Sequence, residues 1–173
     1  MVGERVSAVS DVLPRMVNEG HELGNHTMNH PMCHLTGLGT DDIRSQIDDA
    51  TNAIKDIAGQ APQVLRPVGG GVNSDVKAVA AELNYPIINW SVDTEDWKDQ
   101  NVERIVQTVT QQAEDGDIIL MHDIFETSVT AALACVDRLM AQGYYFVTVE
   151  ELFALRGEVP QEGGVYLSLP PKT

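Results

Sequence analysis

Two of the chain's five histidines, His26 and His30, stand four residues apart in the run His26-Thr27-Met28-Asn29-His30. On a helical turn, side chains at i and i+4 are neighbours, with Cβ atoms about 5–6 Å apart. That separation lets two ring nitrogens reach one divalent ion at the ~2.0–2.1 Å usual for zinc–imidazole bonds. Pro31 disfavours a helical His30, so the turn is expected to stop there, with the pair at the end of an element. By spacing alone, two surface or capping histidines explain the run equally well. His21 and His34 lie nearby but off this spacing, and read as structural.

Three further segments carry groups capable of chemistry. In Asp93-Thr94-Glu95-Asp96-Trp97, carboxylates stand beside an indole, a combination that can hold sugar hydroxyls or a histidine while the ring stacks on a pyranose face. His122-Asp123 leaves the end of an apolar run, where a histidine can serve as general acid near neutral pH. Arg66-Pro67-Val68-Gly69-Gly70-Gly71 joins a cation to three glycines, whose backbone can approach a ligand closely and aim amides at an oxyanion. It lacks the Lys-Ser/Thr of a phosphate loop, which argues against nucleotide binding. Taken singly, a solvated acidic loop, a satisfied strand-end histidine and a glycine turn explain these segments too.

The elements that must position these groups alternate in period. Helical spacing is read over Val6–Glu19, ending at Gly20; from Thr40-Asp41-Asp42 to about Ile57, with Ile43, Ile47, Ile54 and Ile57 on one face; and over Ser74–Leu83, Val102–Ala113 and Ser128–Gln142. Short β-branched or apolar runs at Gln63–Leu65, Pro86–Val92, Asp117–Met121 and Tyr145–Val149 predict buried strands. Alternating strands and helices predict an α/β protein with a largely parallel sheet or barrel. Arg66, Asp93 and His122-Asp123 each follow a strand, where sites are built in such folds.

At 173 residues one domain spanning 1–173 is expected. A net charge of −15 opposes nucleic acid and anionic membrane as partners, and no apolar run approaches a membrane span. Cys33 and Cys135 are too few for a disulfide scaffold and read as free or buried thiols, although a single bridge between them stays open. Met1-Val2-Gly3-Glu4-Arg5 has no signal-peptide pattern, so the chain does not state its compartment.

In their order, the four segments resemble the polysaccharide deacetylases, the carbohydrate esterases of family 4 with a NodB-homology domain. Gly20-His21-Glu22-Leu23-Gly24-Asn25-His26-Thr27-Met28-Asn29-His30-Pro31 is similar to that family's histidine motif. Arg66-Pro67 with Gly70 and Asn73 is similar to its arginine motif, Asp93–Trp97 to its acidic-tryptophan motif, and Leu120-Met121-His122-Asp123 to its last histidine motif. The resemblance implies a distorted (β/α) barrel and zinc-, cobalt- or nickel-assisted removal of acetyl groups from glycans such as peptidoglycan or chitin. It implies that His26 and His30 bind the metal, His122 protonates the leaving amine, Asp93 orients His122, and Arg66 holds the catalytic base. Trp97 and Leu120 would line the substrate pocket, and the backbone of Gly69 and Gly70 would face the oxyanion. It also suggests a cell-envelope or secreted setting.

Two departures accompany the resemblance. Val68 and Gly69 stand where the family usually has a proline and an aromatic residue. The family's first motif, a strand ending in an Asp-Asp pair that supplies the base and a third metal ligand, has no counterpart before Val2-Gly3-Glu4-Arg5. The expectation is therefore a barrel short of its first strands, with weakened metal binding and impaired water activation. Its exposed sheet edges invite pairing with a second copy. A degenerate, inactive glycan-binding or structural relative is the alternative.

Overall fold

Helix α2, Thr40–Ala58, shows how pattern becomes structure in the computed structural model, which describes residues 1–172. Ile43, Ile47 and Ile54 are fully buried on one face. Asp41 and Asp42 in its first turn and Lys55 in its last complement the helix dipole. The N-cap is Gly39 rather than Thr40, and Gly59 closes the helix at φ +77°.

The chain divides into two compact units, the first formed by Met1–Asn89 with Glu158–Tyr166. Its parallel sheet contains β1 (Gly24–Asn25), β2 (Val64–Leu65), β3 (Ile87–Ile88) and β6 (Val165–Tyr166), in the order β1-β2-β3-β6. Ile43 and Ile47 of α2 pack with Leu65, Ile87, and Val76 and Val79 of α3 (Ser74–Glu82). The expected first helix is split. A 3₁₀ stretch, Gly3–Val9, precedes α1, Val12–Asn18. Pro14 is the cause: inside one continuous helix it would lack its N–H and press on the carbonyl of Ser10.

The second unit comprises Trp90–Gly157 and the chain from Leu167 onward. Here β4 (Val92–Asp93) pairs in parallel with β5 (Ile119–Leu120), beside α4 (Asp96–Asp99), α5 (Val102–Gln112), α6 (Glu126–Ala141) and α7 (Val149–Arg156). Ile105, Val106 and Val109 of α5 pack on Ala131, Cys135 and Leu139 of α6. The single apolar run Pro86–Val92 thus feeds two sheets, Ile87–Ile88 in the first unit and Val92–Asp93 in the second.

The run Tyr145–Val149 forms no strand, contrary to its pattern. Tyr145, Phe146 and Val147 are exposed, and Thr148 begins α7 instead. Thr148 Oγ1 accepts the Glu151 N–H at 3.1 Å while the Glu151 carboxylate accepts the Thr148 N–H at 2.7 Å. This capping box starts a helix where β-branched residues alone suggest a strand. Cys33 and Cys135 are both free thiols. No described helix is long and apolar enough to cross a membrane.

Candidate functional site

In the first unit, β1 carries the chain into the His26–His30 segment, which is not the helical turn the spacing suggested. Thr27 and His30 adopt left-handed backbone, at φ +67° and +52°. Pro31 accounts for part of this, because it excludes the right-handed helical region at His30. The two imidazoles nonetheless meet edge to face, with centroids 5.1 Å apart. His26 Nδ1–H donates to the Arg66 carbonyl at 2.5 Å, which fixes the tautomer and leaves Nε2 with a free lone pair. Burial pushes the His26 imidazole down to about 4, so it is neutral at physiological pH, the form in which an imidazole ligates a metal.

These two imidazoles fit a borderline cation such as zinc. Catalytic zinc usually takes three protein ligands. Among the described residues no group of three His, Cys, Asp or Glu side chains gathers to hold an ion.

Arg66 follows β2, and its guanidinium donates to the carbonyls of Ile88 and Asn89 at 3.1 and 3.2 Å. Burial holds its pKa below the usual arginine value. The Pro67–Gly71 turn spends the Gly70 N–H on Pro67 O and the Gly71 N–H on Val68 O. Asn89 Nδ2 donates to Gly70 O at 3.0 Å, which ties the turn to the end of β3. Gly69, at φ +60°, lies against His34: a Cβ there would come within 2.7 Å of His34 Cε1. A side chain there would have to displace the His34 ring and take up left-handed backbone, and His34, which the sequence left as structural, packs on this loop.

In the second unit, β5 ends at Leu120, buried, and delivers His122. Asp96, the first residue of α4 and 1% exposed, takes both His122 donors. Its Oδ2 accepts the backbone N–H at 2.6 Å and its Oδ1 accepts Nδ1–H at 2.7 Å. The His122 ring therefore keeps Nε2 uncommitted, on a side chain 37% exposed. Burial by itself would raise the Asp96 pKa, but the Ser128 hydroxyl beside it and the His122 donors outweigh that and hold it below the ordinary carboxylate range.

The orienting carboxylate is thus Asp96, not Asp93. Asp93 is exposed, accepting Trp90 Nε1–H at 3.1 Å and the Glu95 N–H at 2.9 Å. It shapes the turn in which Glu95 is left-handed, and that turn swings Asp96 inward. Thr94, buried, ties the same turn to β5 by donating to Leu120 O at 2.8 Å. The sequence offered three acids within four residues and no means of telling which one is buried. Trp97, next in α4, is 54% exposed, an indole face open to a ligand.

A family model described as polysaccharide deacetylase matches residues 1–88. The chain is 41% identical over 152 residues to peptidoglycan-N-acetylmuramic acid deacetylase PdaC of Bacillus subtilis, covering 88% of this chain and 32% of that protein. It therefore spans about a third of the length of that curated relative. Among solved structures, the T48 deacetylase with substrate matches at a TM-score of 0.88 and 37% identity, over 95% of this chain and 79% of that one. A family 4 pseudoenzyme from Bacillus anthracis, BA3943, matches at a TM-score of 0.79 and 28% identity, over 87% of this chain and 53% of that one.

Proposed function

The chain belongs to the polysaccharide deacetylase family, a family of hydrolases, and on that premise we propose that residues 1–173 act as one domain that removes acetyl groups from N-acetylated glycans. The observation that carries this reading is the His26–His30 pair, its rings 5.1 Å apart and His26 half-buried, neutral and presenting Nε2. A relative that acts on peptidoglycan favours a cell-wall glycan as substrate, and with it a cell-envelope or secreted setting.

In this reading His26 and His30 hold a zinc ion or similar divalent cation. That ion, when bound, supplies a Lewis acid for the acetyl carbonyl and lowers the pKa of water. The protein's own groups do the rest. The His122 ring, held by the buried Asp96 at Nδ1, gives a proton from Nε2 to the departing sugar amine. The Gly69 amide, in a turn whose next two amides are already spent, donates to the developing oxyanion. Trp97 offers its exposed indole face to the sugar and Leu120 an apolar surface to the acetyl methyl. Arg66 keeps the loop after β2 in place through Ile88 and Asn89. A second copy of the chain pairing along an exposed sheet edge belongs to the same proposal, read as a concentration-dependent mass in sedimentation.

Acetate release from N-acetylglucosamine oligomers with added zinc tests the reading, against His122→Ala as control. Release by the unaltered chain, lost in the variant, supports it; equal rates in both overturn it. The two-histidine donor set favours a second reading, a glycan-binding relative without turnover. That reading expects oligomer binding that Trp97→Ala weakens, with no acetate above the control.

A further inference from the structure

The His26–His30 segment is held in a shape its own residues resist. Thr27 is β-branched, completely buried and left-handed at φ +67°. Such residues persist there only when their surroundings over-determine them. Three residues later His30 is also left-handed, and its N–H donates to Thr27 Oγ1 at 3.1 Å. The geometry of Thr27 therefore sets that of His30.

What holds Thr27 is Asn25. This side chain is 0% exposed, and its Oδ1 accepts the Thr27 N–H at 2.8 Å. On its other side, Nδ2 donates to Ile47 O at 2.8 Å and to Thr51 Oγ1 at 3.0 Å, both on α2. Thr51 Oγ1 donates in turn to Ile47 O and meets Tyr85 OH, each at 2.8 Å. The orientation of the amide is dictated, because the Thr27 N–H requires an acceptor and the Ile47 carbonyl requires a donor. No hydrogen of the amide is left over for a different arrangement. Asn25 thus links the buried face of a long helix, at its middle, to the turn that separates the two imidazoles.

We propose that Asn25 is a positioning residue for the metal pair: its amide transmits the rigidity of α2 through Thr27 to His30 and so sets the separation of the two rings. The inference rests on the reading of His26 and His30 as metal ligands. Groups behind the ligands orient them, and their loss typically lowers metal affinity about 10–100-fold. Asn25→Asp is the sharpest variant, since it keeps the acceptor for Thr27 but sets a carboxylate oxygen against the Ile47 carbonyl. Thr51→Val is milder, removing one of the two acceptors of Nδ2.

The test is cobalt(II) titration of the full chain below its unfolding temperature, read by visible absorption and by competition with a chelator. Thermal unfolding is followed in parallel, with Ile54→Val as a packing control. Ile54 is fully buried among Val6, Leu13 and Leu23 and shares no bond with the Asn25 network. The expected result is an affinity loss of about 10–100-fold and an altered cobalt spectrum in Asn25→Asp, and a smaller loss in Thr51→Val. Ile54→Val is expected to lower stability with unchanged affinity. Unaltered affinity in folded Asn25→Asp or, should that variant not fold, in Thr51→Val overturns the relay while leaving the histidine pair intact. An equal affinity loss in Ile54→Val overturns it as well, because stability alone would then explain the effect. If His26→Ala binds cobalt as tightly as the unaltered chain, the metal-site reading falls, and the relay with it.

Discussion

His26 in the first unit and His122 in the second donate from the same atom, Nδ1, to an oxygen 2.5 and 2.7 Å away. What receives that hydrogen differs. For His26 it is the neutral carbonyl of Arg66; for His122 it is the buried carboxylate of Asp96. A carbonyl fixes the tautomer and burial keeps the ring uncharged, the state a metal ligand needs. A buried carboxylate holds the ring in one orientation and leaves Nε2 free for proton transfer, which suits a group that gives a proton away. The partner at Nδ1, more than the residue type, separates the two proposed roles.

The largest effect is expected of His122→Ala, which should lower acetate release from N-acetylglucosamine oligomers by about 10²–10⁴-fold, the usual contribution of a general acid. Retained kcat in that variant would remove His122 from the chemistry. Asp96→Asn should cost about 10–100-fold in kcat by analogy with other groups that orient a functional imidazole, while Asp93→Asn stays within about twofold. The reverse order would restore the role the sequence suggested for Asp93.

The His26 side of the comparison is sharpened by pH. Its folded pKa lies near 4, below the 6.5 of an unfolded histidine, so the unfolded chain binds more protons between those values. The metal-free chain should keep the full contribution of this group above pH 6.5 and lose it as pH falls toward 4. The loss is on the order of 2 kcal/mol after allowance for partial solvent screening. Denaturant titrations at pH 7 and pH 4.5, unaltered chain against His26→Phe, read the difference; identical pH slopes would deny that His26 is buried neutral. The smallest effect belongs to Trp97→Ala, expected to weaken oligomer binding about fivefold, near 1 kcal/mol for one stacking face. An unchanged KM would leave the exposed indole without a sugar to cover.

Much of this was legible in the residues, and where it was not the reasons are specific. The isoleucine spacing of α2 was enough to place its buried face, because an amphipathic period survives any tertiary context that buries it. Asn73 and Asn101 cap α3 and α5 just before the expected starts. The first helix failed at Pro14, whose effect was outvoted by the apolar spacing around it. Tyr145–Val149 failed because a β-branched run carries no information about whether a neighbouring strand is present to pair with it. The short strands β1 and β6 went unnoticed, since two residues have no readable period.

By itself the sequence determined that two imidazoles lie close together, that a third follows a buried strand, and that the architecture is α/β. Each of these follows from local spacing, composition and alternation along the chain. Tertiary structure alone decided that the His26–His30 segment is a left-handed loop hung from Asn25 rather than a helical turn. It alone selected Asp96 over Asp93, and it alone set His34 against Gly69. In the first two the outcome turns on which polar group is buried and what it must bond to once water is gone. That is a property of the assembled core, and no window of neighbouring residues contains it.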